Sequence, residues 1–218
     1  MAGRGKVYIV GGGSSLQDFD FNRLRDTDTI TVNKSIFDVP NPNYFITVDY
    51  SFLLKIRRQV RLFRSIRTTK VFVAALHHPH LIEREGRFVD TKNNLIYKLG
   101  LFDLIIKSRE SELIGYNWNN FRSGENSGYC ALQLAILLGY TKIYLLGIDL
   151  AVTKSTHYHE GYGPKQAVTF PEKLEQYYLS FKRALKRMQR DNVDIKVFSC
   201  SSISRLNEII SYSPLENI

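Results

Sequence analysis

No stretch of the chain approaches the roughly 18 uninterrupted apolar residues that a membrane-spanning helix needs, so a spanning segment is not expected. Cysteine is scarce: the only two, Cys130 and Cys200, sit among apolar residues and lack metal-ligand spacing. That excludes a disulfide framework or a zinc ribbon and predicts two buried free thiols in a reducing compartment, with a cytoplasmic location. Only six prolines occur, and there is no low-complexity tract, internal repeat or Pro/Ser-rich linker. Met1 to Lys6 runs straight into an apolar strand pattern, so no signal peptide is expected. What is present is ordinary for a globular protein: 44% hydrophobic and 23% charged residues in 218 positions, enough for a normal core.

The formal charge of +9 is concentrated in Lys55–Lys70 (KIRRQVRLFRSIRTTK) and Lys182–Arg190 (KRALKRMQR). Both carry apolar residues at helical spacing: Leu54, Val60, Leu62 and Ile66 in the first, Phe181, Leu185 and Met188 in the second. Each reads as an amphipathic helix with a basic outer face, either simply solvated or drawn to nucleotides, anionic glycans or an anionic membrane surface. Aromatic residues do not interleave with the basic ones as in nucleic-acid-binding modules, so no specific nucleic-acid partner is expected.

Short β-branched runs alternate with longer amphipathic segments, the pattern of βα units around a parallel sheet. Strands are expected at Val7–Val10, Thr29–Val32, Tyr44–Val48, Lys70–Ala74, Leu104–Ile106, Ile143–Leu146 and Ile195–Phe198. Helices are expected at Tyr50–Ser65, Ser127–Leu138, Pro171–Arg190 and Ile203–Ser211. The fold class is therefore α/β: one Rossmann-like domain over residues 1–218, a mostly parallel sheet flanked by helices. Leu76–Leu101 and Ala151–Thr169 break the pattern and read as binding loops, the second as a lid.

The first strand runs into Gly11, Gly12, Gly13, Ser14 and Ser15. Glycines there permit positive φ and close approach to the backbone, while serines cap a helix start or donate to phosphate oxygens. The loop is no full dinucleotide fingerprint, because Leu16 stands at the third glycine's place, and it has no phosphate-loop lysine. Asn33 and Lys34 follow the second strand and Asp49 the third, which puts polar side chains on the carboxyl edge where parallel sheets bind ligands. In GENSGYCALQLAILLGYTKIYLLGIDL, Asn126 and Ser127 are helix-capping types, and Gly128 admits another group to the first turn. Ala131, Leu134, Ala135 and Leu138 continue the helix, and Asp149 ends the next strand. The Ser127–Gly128 helix start is a second anion site facing the first.

The blocks IVGGGSSL, TVNKSIF, SGYCALQLAILLGYTKIYLLGIDL, HYH and FSCSSISRL, in this order over about residues 6 to 210, are similar to those of the bacterial sialyltransferases of glycosyltransferase family 42. The chain also resembles the related domain-of-unknown-function 115 proteins, many of them phage-encoded, a group that includes archaeal pterin diphosphokinases. The resemblance implies a glycosyltransferase that takes a sugar from a nucleotide-activated donor, such as a CMP-sugar, to a glycan acceptor. It places Gly11, Gly13, Ser15, Asn33, Ser127 and Gly128 on the nucleotide; Gly12, Ser14, Asp49 and Asp149 are expected in the same pocket from their own places in the loop and at the strand ends. His157 or His159 in KSTHYHEGYGPK then matches the general base, an imidazole able to take a proton near neutral pH. Tyr158 and Tyr162 are placed to hydrogen-bond the leaving phosphate, and Lys154 or Lys165 to offset its charge.

There are departures from that family. Asp49 stands where it has Asn, Gly124 where it has an arginine (Arg122 lies two residues upstream), and Ala151 and Val152 follow Leu150 where leaving-group tyrosines are expected. These put CMP-sialic acid itself in question and leave a nucleotide-sugar donor standing. The leading reading requires no cofactor or metal: His77, His78 and His80 lack ligand geometry, and the acidic pairs Asp18/Asp20 and Asp26/Asp28 read as caps or surface charge. One alternative is pyrophosphate transfer with Asp149 and Asp49 on Mg2+. Another is a non-catalytic nucleotide-binding phage protein. A homo-oligomer is left open.

Overall fold

The computed structural model describes residues 4–49, 52, 56–74, 81–84, 87–90, 100–108, 114–151 and 166–214. The strands are β1 (Arg4–Val10), β2 (Thr29–Val32), β3 (Tyr44–Thr47), β4 (Thr69–Ala74), β5 (Leu81–Arg84), β6 (Arg87–Asp90), β7 (Leu104–Lys107), β8 (Tyr140–Leu146), β9 (Lys196–Ser199) and β10 (Ser211–Tyr212). The α-helices are α1 (Val60–Ser65), α2 (Ser127–Leu137) and α3 (Gln166–Arg190). Eight strands form one parallel sheet in the order β10-β9-β8-β1-β2-β3-β4-β7, and β5 and β6 make a separate antiparallel pair. The order reverses direction at β1, which pairs with β2 on one side and β8 on the other. That reversal is where open α/β sheets hold ligands, outside the strands' carboxyl ends.

Strand residues alternate between two cores, as the period of two requires. Val7 and Ile9, Ile46, Val71 and Val73, and Ile143 and Leu145 share the layer that holds α2 and α3. Tyr8, Val10 and Leu146 turn to the other face, as do Phe45, Phe72 and Ala74. On that second face Phe45, Phe52, Phe63 and Phe72, each at most 1% exposed, form an aromatic cluster. Each such ring contributes about 1.5–3 kcal/mol through burial. Helix α2 is buried on every side from Ser127 to Ala135, matching its all-round apolar sequence.

The seven expected sheet strands are present, with ends moved by up to three residues. Four features differ from expectation. Tyr50–Ser65 is not one helix: a 3-10 turn at Ile56–Arg58 precedes the short α1, whose buried residue is Phe63, while Leu62 is half exposed. Ile203–Ser211 is a 3-10 turn (Arg205–Glu208) followed by edge strand β10, since its apolar residues have a neighbouring strand to join. The β5–β6 hairpin lies in the segment expected to be irregular. Helix α3 begins at Gln166, so the last part of the expected 151–169 lid is helical. In α3, Phe181, Leu185 and Met188 are buried as the spacing predicts. No helix among the described residues is long and apolar enough to cross a membrane.

Candidate functional site

Two hydrogen-bonded seams close the carboxyl edge of the sheet around β1. The first joins β1 to β2 and β3. Buried Ser35 donates its hydroxyl to the Val10 carbonyl (2.6 Å) and accepts the Val32 N–H (2.9 Å), which locks the two strand ends together. Asn33, the residue after β2, has φ +56°. Its Oδ1 accepts from the Thr47 hydroxyl (2.7 Å), whose oxygen accepts the Asp49 N–H (3.0 Å). The neighbouring Val48 N–H donates to the Ser127 Oγ at the start of α2 (3.1 Å). Asn126 caps α2 by accepting the Tyr129 N–H. Asn33, Asp49 and Ser127, remote in sequence, are thus brought to one patch by side chain and backbone hydrogen bonds.

The second seam joins β1 to β8. Asp149, 5% exposed, accepts from the Ser15 N–H (3.0 Å) and the Ser15 hydroxyl (2.6 Å) with its two oxygens. The glycine loop owes its composition to this contact. Gly13 is extended, with φ −66°, and neither Gly11 nor Gly13 is among the positive-φ residues. What each needs is absence of a Cβ, which at Gly13 would collide with the Asp149 carboxylate and the Gly147 carbonyl. At Gly11 it would meet Gly147 and Ile148. A Cβ on Gly128 would lie 2.9 Å from the same Ile148 side chain. Ile148 is therefore packed against both Gly11 and Gly128, and the close approach read from the sequence is made by the protein's own chain. Gly12 and Ser14 are half-buried in the same loop.

Backbone strain gathers at this edge. Besides Asn33, positive φ occurs at Gly124, Glu125, Gly147 and Leu150. At a bulky residue such as Leu150 (φ +49°) it is a true outlier that surrounding contacts must hold. The Arg205 N–H on the Asp149 carbonyl (3.0 Å) and the Ser204 hydroxyl on the Ile148 carbonyl (2.9 Å) do so.

Three contributors escaped the sequence reading. Thr47 is the relay between Asn33 and Asp49, but looked like an ordinary β-branched strand residue. Glu125 sits in the strained turn before α2. Tyr177 of α3 has its phenol pKa raised by burial first and then by the nearby Glu125 and Asp49 carboxylates, so it stays a hydrogen-bond donor at neutral pH. Its helical spacing gave it no mark beyond a place on α3. His157, Tyr158, His159, Tyr162, Lys154, Lys165 and the histidines at 77, 78 and 80 lie outside the described residues. Cys130 and Cys200 are buried free thiols. Among the acidic pairs, Asp20 caps the turn Phe21–Leu24 and Asp28 accepts from the Tyr140 hydroxyl.

Both Asp149 oxygens are taken by Ser15, and no three His, Cys, Asp or Glu side chains gather among the described residues.

No protein-family model and no curated protein sequence matches the chain. Solved structures do match in fold. The sialyltransferase CST-II in complex with a trisaccharide acceptor and CMP aligns with TM-score 0.55 at 19% identity, over 98% of this chain and 88% of that one. CstII from Campylobacter jejuni with the substrate analogue CMP-3FNeuAc gives 0.52 at 17% identity, over 96% and 86%. The monofunctional alpha-2,3-sialyltransferase Cst-I from Campylobacter jejuni gives 0.53 at 18% identity, over 95% and 80%. The chain thus shares the α/β architecture of these proteins nearly end to end.

Proposed function

We propose that the protein is a glycosyltransferase that moves a sugar from a nucleotide-activated donor, of the CMP-sugar type, to a glycan acceptor. The observation that carries this reading is the bonded patch Asn33–Thr47–Asp49 with Ser127, at the strand reversal of a sheet shared with sialyltransferases. With its Oδ1 held by Thr47, Asn33 presents its amide N–H groups to a base or a sugar hydroxyl. The positive end of α2 at Ser127–Gly128 offsets negative charge as the donor phosphate departs. Gly12 and Ser14, half-buried in the loop, are residues we assign to the phosphate. His157 or His159 takes the acceptor hydroxyl proton. That oxygen attacks the anomeric carbon, the bond to the phosphate oxygen breaks, and the nucleotide leaves, with Tyr158 or Tyr162 donating to the phosphate. On this reading the domain is a single unit with its lid at about residues 151–169.

The test is a thermal-shift screen of CMP, UDP, GDP and ATP, each with and without magnesium, followed by donor hydrolysis and transfer assays. Stabilisation by CMP without magnesium is expected, weakened about tenfold in Kd by Asn33→Ala, with turnover lost in His157→Ala or His159→Ala. A strict requirement for magnesium with ATP would replace this reading with pyrophosphate transfer. Tight nucleotide binding with no turnover of any sugar donor would make the protein a nucleotide-binding factor.

A further inference from the structure

Beside β7, the last strand on its side of the sheet, lies a groove of about 500 Å³ lined by Leu104, Ile105, Ile106, Lys107, Trp118 and Asn119. The site described above uses none of these residues. Trp118 is 44% exposed and Leu104, which lines the same groove, 39% exposed.

The backbone under Trp118 is nevertheless firmly held. The 3-10 turn Trp118–Asn120 is closed by the Asn120 N–H on the Asn117 carbonyl (3.1 Å). Gly115 packs so closely against Asn120 that a Cβ there would strike its carbonyl. Fully buried Gln133 of α2 clips both ends of the loop: its Oε1 accepts from the Gly115 N–H (2.7 Å) and the Arg122 N–H (3.3 Å), and its Nε2 donates to the Arg122 carbonyl (3.0 Å). An indole held out by a rigid loop is a preformed platform, which lowers the ordering cost of binding.

The groove's chemistry selects the occupant. A sugar ring offers an apolar C–H face and a rim of hydroxyls. The flat indole and Leu104 suit the face, while the Asn119 amide, donor and acceptor at once, and the Lys107 ammonium suit the rim. A volume of about 500 Å³ falls within the range of small-molecule pockets, roughly 300–1,000 Å³. The loop is also continuous with the candidate site, since it runs from Trp118 directly into the α2 start at Ser127. Four strand spacings of about 4.8 Å separate β7 from β1, so the groove lies about 19 Å to one side of the strand reversal.

We infer that the Trp118 groove is an oligosaccharide-binding subsite that holds the non-reacting part of a glycan acceptor while its reactive end lies at the sheet's carboxyl edge. The acceptor role rests on the transferase reading; the sugar binding does not.

Trp118 is the only tryptophan in the chain, so fluorescence excited beyond the tyrosine absorption band reports on this groove alone. It is titrated with a galactose-terminated tetrasaccharide, a glucose tetrasaccharide and a heparin-derived tetrasaccharide. At least one should give a saturable change, and calorimetry should find that binding lost in Trp118→Ala and partly restored in Trp118→Phe, with both variants folded by circular dichroism. In transfer assays Trp118→Ala should raise KM for a tetrasaccharide acceptor about tenfold more than for a disaccharide. No saturable response to any of the three sugars overturns the subsite, as does sugar binding unchanged in Trp118→Ala. A dimer in sedimentation that dissolves on Trp118→Ala, without sugar binding, would assign the groove to a second copy of the chain. Saturable binding by a protein that turns over no donor would keep the subsite and remove the acceptor role, so the two failures are distinct.

Discussion

Replacing Asp149 probes the seam between β1 and β8 directly. Its carboxylate is 5% exposed and accepts two hydrogen bonds from Ser15, at 2.6 and 3.0 Å. Hydrogen bonds to a charged group contribute about 1.5–3 kcal/mol each, but both go to one residue and are not independent. Asp149→Ala should therefore destabilise by about 3 kcal/mol, since it also leaves the Ser15 N–H without its acceptor. For a chain of this size about 1 kcal/mol corresponds to roughly 2–4 °C in Tm, so a fall of about 6–12 °C is expected. Ser15→Ala removes only the hydroxyl bond and should cost about 1.5 kcal/mol. Once Asp149 is gone, Ser15→Ala has nothing left to lose at that bond, so the double variant should fall short of the sum by at least about 1 kcal/mol. Urea unfolding of the four proteins closes the cycle. Additive single effects, or a cost for Asp149→Ala below about 0.5 kcal/mol, would refute the assignment of the glycine loop to this contact.

Two further outcomes follow from the buried groups. Gln133→Leu keeps the volume but strands the Gly115 and Arg122 backbone groups, and should cost about 2–4 kcal/mol in urea unfolding while red-shifting or broadening Trp118 emission as the loop loosens. Burial raises both thiols, Cys200 to about 12 and Cys130 further. Their folded pKa values thus exceed the unfolded value near 8.5. Stability from this source is complete below about pH 8.5 and falls as pH rises, by about 1.4 kcal/mol per pH unit for each thiol, until the folded values are passed. Unfolding titrations of wild type against Cys200→Ala between pH 8 and 10.5 should show the variant's slope smaller by about one thiol's share, and Ellman's reagent should find neither cysteine at pH 8 without urea.

The fold was legible because its signals are local. VYIV, TITV and YFIT are short apolar and β-branched runs, as a strand buried on both faces requires, and each is a strand of the sheet. The Asn126–Ser127 start of α2 was equally plain, since a cap needs only its own next turn. What failed depended on neighbours distant in sequence. Nothing in ISRLNEIISYS announces that Ser211 and Tyr212 pair with β9, and an apolar run with helical spacing is otherwise a sound helix. Leu62 and Phe63 trade places on α1 because the chain breaks at Gln59 and resets the helical phase. Of the candidate site, the sequence put Asn33, Asp49 and Ser127 on one edge but did not show the bonds that join them, which run through Thr47 and the Val48 N–H.

The glycine-serine loop carries the larger lesson about reading such motifs. A run of glycines after a strand reports that something lies against the backbone, and sequence cannot say whether that is ligand or protein. Here Gly11 and Gly13 accept Gly147, Ile148 and Asp149, and Gly128 accepts Ile148 again. One side chain thus spaces the β1 loop from the start of α2, and one carboxylate fixes the loop's serine. Ile148 and Asp149 thus hold the segment after β8, where Leu150 is already strained, against the β1 loop and the α2 start. Residues 152–165 follow that segment directly and hold His157 and His159. In the proposed reaction Ile148 and Asp149 are therefore positioning groups for the donor's phosphate site, whose loss should change transfer more than nucleotide affinity.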